Sequence, residues 1–163
     1  MFAVLGILFG LVFLQVSDDD LAGMSSKLSV IFMTTGFCGV LHAGTSFPLL
    51  FRWRAVFYRE QSSNTYSPWV YALANTLVEL PYVFVFTLVF VVPCYHLVGF
   101  QNDGELFFRY AFSHYLMSLC FLYLGHFLAS ALPNAVVAQI LQGVLYNFCF
   151  LFGGVFIQGR FFT

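Results

Sequence analysis

The stretch Arg52-Trp53-Arg54-Ala55-Val56-Phe57-Tyr58-Arg59-Glu60 decides how this chain is read. It holds three of the chain's six Lys and Arg residues, and long apolar runs flank it on both sides. A short arginine-rich connector between apolar spans marks the cytoplasmic side of a membrane. The residues around it support the membrane reading. The chain is 61% hydrophobic and only 8% charged, against about 25% charged in an average soluble domain. Too few polar residues remain to cover a water-facing surface. Twenty-three phenylalanines in 163 residues suit lipid contact and helix packing. The net charge of −1 argues against nucleic acid as a partner.

Five apolar segments run over approximately 1–16, 24–51, 68–99, 106–131 and 135–157. Each is long enough for a helix, and none shows the ten-residue alternation of a membrane barrel. Backbone groups in lipid must be satisfied within their own segment, which predicts an all-α polytopic membrane helix bundle. The first segment lacks a basic n-region and a cleavage site, so it is not read as a signal peptide. The chain also stops at Arg160-Phe161-Phe162-Thr163 without a polar tail, and a fragment of a longer polypeptide is expected.

The connectors alternate in character. Ser17-Asp18-Asp19-Asp20 and Gln101-Asn102-Asp103-Gly104-Glu105 are acidic, residues 52–67 carry the arginines, and Leu132-Pro133-Asn134 is a tight turn. Placing the arginines inside puts 52–67 and the Pro133 turn in the cytoplasm and the two acidic loops outside. Residues 54–60 fit a short amphipathic helix at the membrane surface or a solvated loop, and Pro68 suits the first turn of the helix that follows. Small residues at helix-packing spacing, Gly6 with Gly10, Gly39 with Ala43 and Gly125 with Ala129, favour close helix approach.

Motifs for chemistry are missing. There is no G-x-x-x-x-G-K-[ST] run, and Lys27 is the sole lysine. The chain therefore lacks a P-loop of its own. Its four histidines are dispersed, and its four cysteines sit singly in apolar runs; neither set has metal-ligand spacing. No catalytic, cofactor or metal site is assigned. Glu79, about eleven residues into the third segment, is a charge at hydrocarbon depth and must face the bundle or water. Tyr71, Asn75, Glu79 and Tyr82 fall on one helix face as a polar stripe. That stripe is either structural, with Glu79 bonded to a neighbouring helix or the arginine connector, or a relay toward a cavity. Thr34, Cys38, His42 and Thr45 give the second segment a face of modest polarity, with Phe37 and Leu41 beside it. Gln139, Gln142, Tyr146, Asn147 and Phe150 do the same on the fifth. Amides and hydroxyls among aromatics suit either interhelical bonding or an amphipathic cavity.

Residue order adds a family. Arg54-Ala55-Val56-Phe57-Tyr58-Arg59-Glu60, then Tyr66-Ser67, Glu79-Leu80-Pro81-Tyr82 and Gly99-Phe100, resembles the transmembrane domain of G-subfamily ABC transporters of the pleiotropic drug resistance type. Pro133-Asn134 and Phe152-Gly153-Gly154 match later landmarks, so the resemblance covers nearly the whole chain. It implies about five helices of a six-helix exporter domain in the plasma membrane. It also implies ATP-driven movement of hydrophobic or amphipathic molecules. Power would come from a separate nucleotide-binding domain carrying ATP and magnesium, and a second transmembrane half would complete the pathway. By position it makes Arg54, Phe57, Tyr58, Arg59, Glu60 and Tyr66 the coupling element and Asn75 and Glu79 a polar relay. Thr34, Cys38, Leu41, Asn147 and Phe150 become cavity residues, and Val155 and Phe156 an apolar plug. Thr34 and Leu41 stand where multidrug members carry aromatics. A proton-coupled secondary transporter using Glu79 and a non-transporting membrane fragment are the rival readings.

Overall fold

The computed structural model describes residues 1–14, 21–100 and 103–153, with backbone only for Leu21, Ala22 and Met24. The described residues form five helices: α1 (Phe2–Val12), α2 (Leu21–Ser62), α3 (Pro68–Val98), α4 (Gly104–Ala131) and α5 (Ala135–Leu151). Three of them, over Ser25–Ser62, Pro68–Val98 and Gly104–Ala131, are long and apolar enough to cross a membrane. The acidic run 17–20 lies outside the described residues.

The largest departure from the sequence reading is α2. A helix over 24–51 and a separate connector over 52–67 are expected, yet α2 continues unbroken for 42 residues to Ser62. Nothing between Phe51 and Gln61 breaks a helix: Ala, Arg, Glu and Gln all favour it. Pro48 lies inside and removes one backbone donor, but the helix passes through it. At about 1.5 Å per residue α2 is about 60 Å long, twice the hydrocarbon thickness of a bilayer. It ends where Asn64 turns left-handed, at φ 52°. Thr65 N–H donates to the Glu60 carbonyl and Asn64 N–H to the Gln61 carbonyl, the paired bonds of a Schellman cap. The connector proper is thus only Ser63 to Ser67, and Ser67-Pro68 opens α3.

Packing follows small residues. α1 lies along α3, and α2 along α4; α3 meets α4, and α5 closes against α2 and α4. A Cβ on Gly6 would sit 2.5 Å from the Phe90 carbonyl oxygen, and one on Gly10 2.6 Å from Leu97 Cβ. The GxxxG pair therefore sets how close α1 comes to α3. Gly39 receives the Phe121 ring of α4, and Gly36 the Phe150 ring of α5. At one end a core of Val30, Cys38, Phe90, Val91, Cys94, Tyr95 and Tyr110 is buried. There Lys27 Nζ donates to the Gly99 carbonyl at 3.2 Å, at the left-handed C-terminus of α3. A cation beside a helix's last carbonyls satisfies groups that have no partner within the helix. Asn134 caps α5 by accepting from Val136 N–H at 3.1 Å.

Adding a methyl where backbone meets backbone is expected to cost about 1–3 kcal/mol. Gly6→Ala should lower the thermal unfolding midpoint of the purified protein in detergent. Gly44→Ala, whose Cβ meets nothing within 4 Å, should leave it unchanged or raise it.

Candidate functional site: the Arg54 end of the bundle

The end of the bundle opposite Lys27 gathers the residues that sequence order singles out. On α2 the spacing of Leu50, Arg54, Phe57 and Tyr58 places them on one face. The Arg54 guanidinium reaches across to α4, where Nη1 donates to the carbonyls of Ala129 and Leu132 at 3.3 and 2.5 Å. Those carbonyls belong to the unpaired last turn and cap of α4, and the cation opposes the negative end of that helix. Nε donates to Tyr58 Oη at 3.0 Å, and the Phe51 and Tyr58 rings lie 5.7 and 5.5 Å away. Arg54 thereby ties the far end of α2 to the end of α4.

The turn beyond is ordered by aromatic packing. Phe57 stacks on Tyr71 with ring centres 4.3 Å apart, and Tyr66 packs near both. Tyr66 Oη donates to Glu60 Oε2 at 2.6 Å. The Glu60 carboxylate holds that proton in place and pushes the Tyr66 phenol up to about 12. Five of the six residues expected to form a coupling element thus meet within the structure around one turn, and Tyr71, which the motif alone does not mark, packs with them. Arg59, the sixth, is exposed.

Between α2, α3 and α4 this end holds an open pocket of about 520 Å³, lined by Arg54, Phe57, Tyr71, Asn75, Tyr123 and His126 among others. A second recess of about 290 Å³ adjoins it and shares Leu50, Tyr71, Asn75 and His126. Glu79 lines the second. Its Oε1 accepts from Ser46 Oγ of α2 at 3.4 Å and lies 3.9 Å from His126 Nε2 of α4. Asn75 and Glu79 are thus brought together, and the partner of Glu79 is the neighbouring helix rather than an arginine. Tyr82 does not join the stripe; it is 58% exposed. Pro81 leaves the Leu77 carbonyl without its usual donor. On either side Tyr123 donates to the Thr76 carbonyl at 3.1 Å and Tyr115 to that of Leu80 at 3.3 Å.

The residues expected to line a substrate cavity are divided. Thr34 and Cys38 face inward and are closed off, at 0% and 2% exposure. Thr34 Oγ1 donates to the Val30 carbonyl at 2.7 Å and sits 3.2 Å from Tyr110 Oη and 3.3 Å from His114 Nε2. Cys38 shares a core with Cys94, against which Leu41 also packs. All three therefore serve the internal contact of α2 with its neighbours. Thr34, Cys38 and His42 of the stripe face the core, where α4 offers Tyr110 and His114 as hydrogen-bonding partners to Thr34, while Thr45 is exposed. Phe150 does lie at the α2–α5 crossing, edge-on to Phe32 at 5.4 Å, beside a narrow cleft of about 50 Å³. Asn147 is exposed on α5 and donates to the Gly143 carbonyl. Val155 and Phe156 lie outside the described residues.

Comparison with known proteins matches residues 2–160 to the family described as ABC-2 type transporter. ABC transporter G family member 41 of Oryza sativa subsp. japonica is 33% identical over 155 residues, 93% of this chain and 11% of that protein. ABC transporter G family member 36 of Arabidopsis thaliana is 32% identical over 153 residues, 93% of this chain and 10% of that protein. ABC transporter G family member 45 of Oryza sativa subsp. japonica is 33% identical over 161 residues, 98% of this chain and 12% of that protein. The chain spans between 10% and 12% of the length of these relatives.

Replacing Arg54 with Met keeps its stem and removes the donors to α4. Charge-assisted hydrogen bonds of this kind contribute about 1.5–3 kcal/mol. Arg54→Met should lower the unfolding midpoint in detergent and increase protease cleavage at Leu132–Asn134. Arg54→Lys, a single-point donor, should recover only part of the loss.

Proposed function

The chain belongs to the ABC-2 type transporter family, and from that membership we propose that it is the substrate-translocating membrane part of an ATP-driven exporter. Its cargo is a hydrophobic or amphipathic molecule. The P-loop that this sequence lacks belongs to a nucleotide-binding domain holding ATP and magnesium. A second transmembrane half completes the pathway across the plasma membrane. The arginine-rich end of α2 lies on the cytoplasmic side.

One observation carries the mechanism: α2 is a single helix from Leu21 to Ser62. A nucleotide-binding domain pressing on Arg59, Glu60 and Tyr66 acts directly on the same rod that meets α5 at Gly36 and Phe150. No loop intervenes to absorb the displacement. Arg54 and the Phe57–Tyr66–Tyr71 cluster pass the motion on to α4 and α3, and Asn75 with Glu79 extends it along α3. The cavity reading keeps Asn147 and Phe150 on α5. On α2 it shifts from Thr34, Cys38 and Leu41 to Phe32 and Met33, which lie beside Phe150 or face outward. This places an aromatic ring at the α2–α5 crossing, suited to apolar cargo.

A proline at Val56, in the cytoplasmic part of α2, removes a helix hydrogen bond and kinks the rod. In the full-length transporter reconstituted in liposomes, Val56→Pro should abolish substrate movement while leaving a substantial fraction of ATP hydrolysis. Glu60→Ala or Arg59→Ala should give the same uncoupling in weaker form. Unchanged transport per ATP in all three would overturn the coupling role.

A further inference from the structure

Glu79 is held inside the bundle without a cation. No Lys or Arg among the described residues pairs with it; its neighbours are the Ser46 hydroxyl at 3.4 Å and His126 Nε2 at 3.9 Å. Arg54 spends its donors on Tyr58, Ala129 and Leu132. A carboxylate at this depth without a counter-charge is unfavourable unless something compensates it. His126 Nε2 is itself buried and makes no hydrogen bond.

The recess around the two is shaped for a small group. Its volume of about 290 Å³ is at the lower edge of ordinary ligand sites, about 300 Å³. Trp53 and Tyr71 supply aromatic walls, which attract cations through the ring faces. Leu49, Trp53 and Val78, on its outer side, are all more than half exposed, so the recess opens toward the surroundings of α2 and α3. Three polar side chains line it: the Glu79 carboxylate, the Asn75 amide and the His126 imidazole. A carboxylate without a cation, among polar side chains, suits a primary ammonium, which donates N–H, better than a quaternary one, which has no N–H to give.

We propose that the Glu79 recess binds the primary ammonium group of an amphiphile whose chain lies along the exposed apolar side of α2 and α3. The amphiphile is either an aminophospholipid of the bilayer or a soluble alkylamine. The binding is read without ATP turnover, so its failure is distinguishable from failure of the transport reading.

Dodecylammonium is titrated calorimetrically into the full-length protein in neutral detergent, with dodecyltrimethylammonium and dodecyl sulfate as comparisons. Saturable binding is expected, at least tenfold tighter for the primary amine than for either comparison. Glu79→Gln should weaken it tenfold or more. Should that variant misfold on size-exclusion, Trp53→Leu, at an exposed position, should weaken binding about threefold. Nanodiscs distinguish the sources: phosphatidylethanolamine in place of phosphatidylcholine, equally neutral but quaternary, lowers the apparent dodecylammonium affinity if the lipid headgroup occupies the site. Equal affinity in both points to the soluble amine. Dodecyl sulfate binding as tightly, or affinity unchanged in the folded variants, would overturn the assignment.

Discussion

Every backbone carbonyl in this protein has to find a donor without help from bulk water over most of its length, and that requirement shapes the rest. Helices satisfy it internally except at their ends and at prolines. At those places the fold brings in side chains from other helices. Lys27 of α2 reaches the end of α3, and Arg54 of the same helix reaches the end of α4. Tyr115 and Tyr123 flank the Pro81 defect. Two of the chain's six cations and two of its tyrosine hydroxyls are used where the backbone lacks donors. α2 supplies both capping cations, one near each end, so its position fixes that of two neighbours.

Between those ends the helices are held by shape. Hydrocarbon side chains gain little from leaving lipid for another helix, so close approach and dispersion must do the work. Glycine facing backbone at Gly6, and glycine facing an aromatic ring at Gly36 and Gly39, provide the two kinds of socket used. Some buried polar side chains pair along their own helix, as His42 does with the Cys38 carbonyl, and others pair across helices. The cluster of Thr34, Thr35, Tyr110 and His114 joins α2 to α4, and Tyr146 of α5 donates to the Phe121 carbonyl of α4.

Much of this was visible in the residues. The apolar runs announce the helices, Gly6 and Gly10 mark a real crossing, and Glu79 had to face inward because the alternative was lipid. Residue order drew Arg54 and Glu60 into one region, and the structure adds Tyr71. Two things were not legible. The end of α2 was hidden because arginine signals a membrane boundary, not a helix boundary. The true stop is a left-handed asparagine, one of many in polar turns. The direction of the Thr34–Cys38 stripe was hidden because periodicity defines a face without saying what meets it. The deciding partners, Tyr110 and His114, lie 76 and 80 residues away in sequence.

The length of α2 also has a mechanical consequence. The helix is gripped near Gly39 by Phe121, and its two arms on either side of that grip are unequal. From Gly39 to Ser62 the arm is about 35 Å, and back to Gly23 about 24 Å, at about 1.5 Å per residue. A tilt of about 10° about the grip sweeps the longer arm through about 6 Å and the shorter through about 4 Å. Any tilt about that contact therefore moves the Arg54 end of α2 further than its Lys27 end.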